Sequence, residues 1–350
     1  MFVGGEFFED NVWVTSSPAP PVKGATFLNG GRACLSVIAR YLCANSIDRI
    51  LLPSYLCPSI LDVLDASGFA YDFYQVNEDF SIDEADLQRK AEAHQAVYLI
   101  NYFGFLHSPK TRRILLELQK HGKLIVEDNA QACTFVDPIG DFVFNSLRKF
   151  CACDGGYMTT RINYSDILQN WPVVQNRRLP VIREYRGRLA DYLFKHRGNR
   201  AELDELYLKA ESFYSDGVIQ GDADEKQKIE SLDWPAIKSV RRENYQFLLE
   251  RIVDIPHLKP VFPALQPEIM PLGLPIYLDG VSRDLVNESL SEASISLSVH
   301  WDDLQNDPRT NHDPLVTQMA GSMLTLVVDQ YTSRSQLEYL VDNLTYAVSA

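Results

Sequence analysis

The chain has 350 residues, 46% of them hydrophobic and 23% charged, the balance of an ordinary globular protein that buries its own core without staples. Its 33 Lys and Arg against 47 Asp and Glu leave a net charge of −14, which makes it a poor general binder of nucleic acid or anionic membranes, although a local basic pocket for a phosphorylated small molecule stays open to it. The six cysteines include no CxxC pair, the start MFVGGEFFEDNVWV lacks a basic segment ahead of an apolar one, and no apolar run approaches the roughly 20 residues that span a bilayer. A cytoplasmic protein with reduced thiols, no disulfide framework and no metal site is expected.

In chain order, the Gly30-Gly31 pair opens RACLSVIARYLCA (32–44), whose apolar residues recur at helical spacing. RILLPSY (49–55) is a short buried strand ended by Pro53, SILDVLDASG (59–68) a helix closing on Gly68, and AYDFYQV (70–76) an alternating strand. The alternation continues through AVYLINYFG (96–104), the helix KTRRILLELQKHG (110–122), KLIVED (123–128) and DFVFNSL (141–147). This grammar predicts an α/β fold: a mostly parallel sheet covered by helices on both faces, with ligand sites beyond the carboxyl ends of the strands. From about residue 165 the chain turns polar, Arg-rich and helical, and SLDWPAIKSVRRENYQFLLERIV (231–253) reads as a long amphipathic helix started near Asp233-Trp234-Pro235. Strands at 273–280, 294–301 and 322–330, a helix near 283–292 and a closing helix follow, so a large domain over 1–230 and a smaller C-terminal α+β domain over 231–350 are expected.

Two residues past the strand ends carry the chemistry. KLIVED delivers Asp128 at its carboxyl end, where a carboxylate can simply cap a turn. Lys149 follows one strand later, set among Phe144, Leu147, Phe150, Cys151 and Cys153, where an ammonium is costly unless it is neutralised or used. An acid and a lysine on neighbouring strand ends are what a pyridoxal phosphate site requires: the carboxylate keeps the pyridine nitrogen protonated and the amine forms a Schiff base. Ser146, three residues before the lysine, can turn to a phosphate or cap its own turn, and the Gly30-Gly31 step offers the first amides of a helix, those of Gly31, Arg32 and Ala33, to a dianion. Asp154-Gly155-Gly156 then takes the backbone out of a crowded place where a Cβ would collide.

With NGGRACL, LLPSYLCPS, INYFG, IVEDNAQA, SLRKFCACDGG, RRENYQFLLERI and MLTLVVDQ in this order, the chain resembles the DegT/StrS sugar aminotransferases, fold type I pyridoxal phosphate-dependent transferases that act on nucleotide-linked keto-sugars in surface-polysaccharide and antibiotic pathways. The resemblance implies Lys149 as Schiff-base lysine and proton shuttle, Asp128 as partner of the pyridine nitrogen, Gln131 as donor to the cofactor's ring oxygen, and Ser146 with Gly31-Arg32 at its phosphate. The ring-stacking position falls in PSYLCPS, on Tyr55 in preference to Cys57. His300-Trp301 resembles the segment lining the substrate entrance, and glutamate as amino donor and a two-fold homodimer follow by analogy.

The chain departs from the family pattern in having Phe144-Asn145 ahead of the lysine, Cys153-Asp154-Gly155-Gly156 behind it, and no recognisable histidine-glycine loop in WPVVQNRRLPVIREYRG. Two alternatives stay beside the aminotransferase reading: a non-catalytic relative that binds a sugar nucleotide, and a pyridoxal phosphate enzyme with a non-sugar substrate. A deoxygenating relative is disfavoured, because that type replaces the lysine with histidine. Arg177, Arg178, Arg183 and Arg186 are expected on a solvated helix in preference to a diphosphate site, and His107, His121 and His312 show no metal-ligand spacing.

Overall fold

A computed structural model of the protein describes residues 1–8, 13–310 and 313–349. After the short β1 (Val3–Gly4), seven strands build the main sheet: β2 (Thr26–Leu28), β3 (Arg49–Pro53), β4 (Ala70–Tyr74), β5 (Ala96–Ile100), β6 (Leu124–Asn129), β7 (Phe142–Asn145) and β8 (Gly156–Thr160). They lie in the order β2-β8-β7-β6-β5-β3-β4. β8 runs antiparallel to both its neighbours, and the pairs from β7 across to β4 are parallel. Every residue of β5 and β7 is buried, as expected of strands covered on both faces, and the helices Gly31–Ala44, Pro58–Ala66, Glu84–Ala91 and Pro109–Lys120 fall between consecutive strands. This is the fold type I α/β architecture expected from the sequence. β2 and β8 escape sequence reading: TFL is too short to show alternation, and β8 begins on a glycine pair.

Glu127, a carboxylate in the middle of β6, is satisfied rather than solvated. Its Oε2 accepts from the amides of Ile139 and Gly140, each at 2.8 Å, and its Oε1 from Asn101 Nδ2 at 2.9 Å. That arrangement clamps the end of β6 to the connection leading into β7, and so fixes where the next residue, Asp128, emerges.

The C-terminal part contains an antiparallel sheet of β9 (Leu258–Pro260), β10 (Leu274–Leu278) and β12 (Met323–Leu326) in the order β12-β10-β9. β11 is only Ile295–Ser296, paired in parallel with β1, so most of the expected strand at 294–301 is irregular chain, tied back by a single bridge between Ser298 and Thr325. The N-terminal strand thus pairs with the C-terminal part of the chain. The long helix Trp234–Ile252 starts as expected, Asp233 accepting from the Ala236 amide at 3.1 Å.

Residues 178–216 form a helical hairpin, Arg178–Lys195 and Arg200–Ser212, closed by the 3-10 turn Phe213–Asp216. Contrary to the expected solvated helix, Arg178 and Arg186 are only 3% and 4% exposed, and both bind the buried Asp154. Burial alone would raise the Asp154 carboxyl, but Arg186 and Arg178 hold it below the usual carboxylate range. Arg183 is paired with Glu225 at 2.6 Å and Arg177 with Asp216 at 2.6 Å, so neither is free for a diphosphate.

The glycine pair after Asp154 has the role its position suggests. A Cβ on Gly156 would run into the carbonyl oxygen of Asn145, and one on Gly155, at φ 154°, into the Phe27 ring. Gly156→Ala is expected to cost ~3 kcal/mol in denaturant unfolding, since the obstacle is backbone, whereas Gly187→Ala, in open space within the helix Arg178–Lys195, should gain about 1 kcal/mol.

Candidate active site

Asp128 stands on β6 and Lys149 at the end of the 3-10 turn Leu147–Lys149 that follows β7, the strand hydrogen-bonded to β6 with Asp128 opposite Phe144. Both line one cavity of about 520 Å³ beyond the carboxyl ends of the strands, which also receives Gly31, Arg32, Gln131, Ser146, His300 and Trp301. The two groups that the sequence placed 21 residues apart are therefore brought together.

The Asp128 carboxylate is buried. Its Oδ2 accepts from the Tyr98 hydroxyl at 2.7 Å and its Oδ1 from the Ala130 amide at 2.6 Å, so it closes a local turn and faces the cavity at once. Burial pushes this carboxyl above its ordinary value, while Tyr98, the Ala130 amide and Lys149 draw it back. Burial pushes the Lys149 ammonium down; Arg148 and Arg32 act in the same direction, and Cys57 and Asp128 oppose them. The outcome is an amine that loses its proton more readily than a surface lysine and a carboxylate held beside it.

Gln131 is buried, and its Oε1 accepts from the Phe103 amide at 2.7 Å, which leaves Nε2 buried without a partner among the described residues. A buried amide donor lacking an acceptor in the cavity wall can donate to a ligand oxygen. Gly30 enters the helix Gly31–Ala44 at φ 97°, and the first intrahelical bond is Cys34 N–H to Gly30 O at 3.1 Å, so the amides of Gly31, Arg32 and Ala33 precede it. Ala33 buries its side chain in the core and is not among the residues that line the cavity. Ser146 makes no capping bond to its turn and packs against Gly31, 3.5 Å from where a Cβ would sit.

Tyr55 is misplaced by the sequence reading. It is fully buried and absent from the cavity wall; its hydroxyl donates to the His300 carbonyl and its ring packs 5.7 Å from Trp301. After Pro53 the chain turns under the cavity floor, which carries the large ring into the core and leaves the smaller Cys57, at the head of the helix Pro58–Ala66, as the lining residue. His300 and Trp301 do line the cavity. His300 Nδ1 lies 2.9 Å from Thr325 Oγ1, and burial, reinforced by Lys149, lowers the imidazole to about 3, so it is neutral at physiological pH.

The sequence reading missed Arg148, Tyr207, Glu211 and Tyr214, the last three brought to the cavity by the hairpin. Tyr207 and Tyr214 are seven residues apart and flank the buried Ala210, a helical-face spacing that could have marked them. His107 Nε2 meets the Ile100 carbonyl at 2.7 Å and His121 Nδ1 that of Glu117 at 2.7 Å, while His312 lies outside the described residues.

No protein-family model matches the sequence, and no curated protein does. Solved structures match its fold across nearly the whole chain. The aminotransferase TlmJ from Streptoalloteichus hindustanus is 17% identical over 93% of this chain and 86% of its own, with a TM-score of 0.65. The Helicobacter pylori PseC, an aminotransferase involved in the biosynthesis of pseudoaminic acid, is 17% identical over 94% and 87%, at 0.67. DesV from S. venezuelae, solved in complex with a ketimine intermediate, is 17% identical over 93% and 85%, at 0.64. The chain therefore has the fold of these aminotransferases.

The depressed amine of Lys149 predicts selective reaction at neutral pH. A limiting amount of a small aldehyde followed by borohydride should label Lys149 ahead of the exposed Lys195 and Lys226, and peptide mapping that finds the label on those two but not on Lys149 would contradict the placement.

Proposed function

We propose that the protein is a pyridoxal phosphate-dependent aminotransferase of the DegT/StrS type. It takes an amino group from glutamate and delivers it to a keto-sugar in nucleotide-linked form, for surface-polysaccharide or secondary-metabolite biosynthesis. The observation that carries this reading is the convergence of Asp128 and Lys149, from adjacent strands, on one cavity whose wall holds the unpartnered Gln131 donor. PseC's part in pseudoaminic acid biosynthesis and the ketimine in DesV support it. A cytoplasmic location and assembly as a homodimer complete the proposal, in keeping with the family resemblance.

The residues fit the cofactor on this structure's own evidence: a buried carboxylate for a ring nitrogen, an orphaned amide donor for a ring oxygen, and a helix start with a serine for a phosphate. Bound there, the cofactor supplies an electron sink that stabilises carbanion charge next to nitrogen. Asp128 keeps a nitrogen placed against it protonated by presenting a fixed negative charge in a buried setting. Lys149 would anchor the cofactor and, kept more readily unprotonated by burial, would take up and return the proton of the reacting carbon. His300, neutral and held by Thr325, offers the substrate hydrogen bonding without adding positive charge beside Lys149.

One observation favours a second reading, a non-sugar acceptor. The histidine-glycine loop of the family is not recognisable in this chain, and a helical hairpin presents Tyr207, Glu211 and Tyr214 to the cavity.

The purified protein is expected to be yellow when loaded with pyridoxal phosphate and to bleach on addition of glutamate. Lys149→Ala should lose the visible band and all turnover, and full activity in that variant would falsify the assignment. Asp128→Asn should retain the cofactor while its rate falls by about 10²–10³-fold, measured as single-turnover bleaching. Screening the aminated form against a panel of nucleotide keto-sugars and simple keto-acids decides between the two readings of the acceptor.

A further inference from the structure

Three guanidinium groups surround one aromatic ring at an end of the cavity. The Cζ atoms of Arg32, Arg178 and Arg148 lie 3.8, 4.4 and 5.3 Å from the centroid of Tyr214. A ring face attracts a cation, but three cations on one ring repel each other and call for negative charge nearby. Arg178 has its share: Asp154 and Glu211 both bind it, the latter at 3.1 Å. Arg186 takes the other Asp154 oxygen at 3.0 Å and reaches Glu6 at 3.4 Å. The acids on this side are thereby committed.

Arg32 and Arg148 are not. Among the described residues neither side chain has a carboxylate within ion-pairing distance or a hydrogen-bond acceptor, and both line the cavity. The Tyr214 hydroxyl, on the same ring, is buried with no partner. Ser146 and the start of the helix Gly31–Ala44 belong to the same wall. Glu211, which lines the same cavity, and Glu6 act on Arg148 only at longer range, so two guanidiniums without a direct ion pair and a buried hydroxyl with a proton to donate leave room for a phosphate with several acceptor oxygens.

We propose that Arg148 and Tyr214, together with the Arg32 side chain, form a phosphate subsite that the hairpin 178–216 completes within a single chain. The proposal builds on the cofactor placement in the proposed function, and the phosphate is that of the cofactor or of the acceptor. Arg148 brings the charge, the Tyr214 hydroxyl donates to a phosphate oxygen, and the Asp154 network holds Arg178 back as the fixed support beneath the ring. Being next to Lys149 in sequence, Arg148 ties the occupancy of this subsite to the position of the amine.

The test uses the full chain and the variants Arg148→Met and Tyr214→Phe, the second removing one oxygen only and leaving the ring and its packing in place. Binding of pyridoxal phosphate and of pyridoxal, which lacks the phosphate, is followed by the visible band, and inorganic phosphate is titrated by its effect on the melting temperature. If the phosphate is the cofactor's, Arg148→Met weakens pyridoxal phosphate about 10- to 100-fold and Tyr214→Phe by a smaller factor, with pyridoxal unchanged, which also excludes a mere change in Lys149. If it is the acceptor's, both variants bind pyridoxal phosphate as the parent does, but the loaded protein loses its stabilisation by inorganic phosphate. Parent-like behaviour of both variants toward all three probes overturns the subsite. A parent chain that reacts with neither pyridoxal nor its phosphate, yet shows a phosphate-dependent melting shift that both variants lose, sinks the cofactor reading and leaves the subsite standing.

Discussion

The pairing of β6 with β7 is the constraint on which the site depends. Parallel neighbours deliver their carboxyl ends side by side, and that is how Asp128 and Lys149, distant in sequence, come to share a cavity. The pairing is itself pinned by Glu127, whose carboxylate gathers the amides of Ile139 and Gly140 from the connection between the two strands. A buried acid one residue before Asp128 thus does positional work, and its position in the strand interior is explained by the donors of Asn101, Asn129, Ile139 and Gly140 that satisfy it.

What was legible in the sequence was local. The helix at Gly30-Gly31, the long helix after Asp233, and the central strands came through because their periodicity or their caps are written in consecutive residues. Asp128, Gln131, Ser146 and Lys149 were legible for a related reason: each sits within a few residues of a strand end. Tyr55 shows the limit. A single residue, Leu56, separates it from Cys57, and only the path of the chain after Pro53 decides which one meets the cavity and which one is swallowed by the core. Arg178 and Arg186 show another, since a composition rich in arginine says nothing of the buried Asp154 that waits for them from a distant turn.

The Asp154 network has energetic consequences as well as structural ones. Ions taken out of water repay their desolvation only when well paired, and a carboxylate shared by two guanidiniums satisfies that condition better than a single pair would. It also spares charge elsewhere: by occupying Arg178 and Arg186, the acids of this region leave Arg32 and Arg148 to face the cavity beside Lys149. Local electropositivity in a chain of net charge −14 is therefore a matter of which acids are already engaged.

Asp154 belongs to the same turn as the lysine, because the Leu147 amide donates to the Gly155 carbonyl at 2.8 Å. The hairpin is consequently bolted to the lysine-bearing turn, and swinging it aside would strip the partners from a buried carboxylate. The stretch 298–301, which also lines the cavity, has no such bolt: its ties are the Ser298–Thr325 bridge and the contacts of His300 with Tyr55 and Thr325. A bulkier guest in the cavity would therefore displace 298–301 before the hairpin, since moving unpaired chain breaks a few hydrogen bonds whereas moving the hairpin strands buried charge.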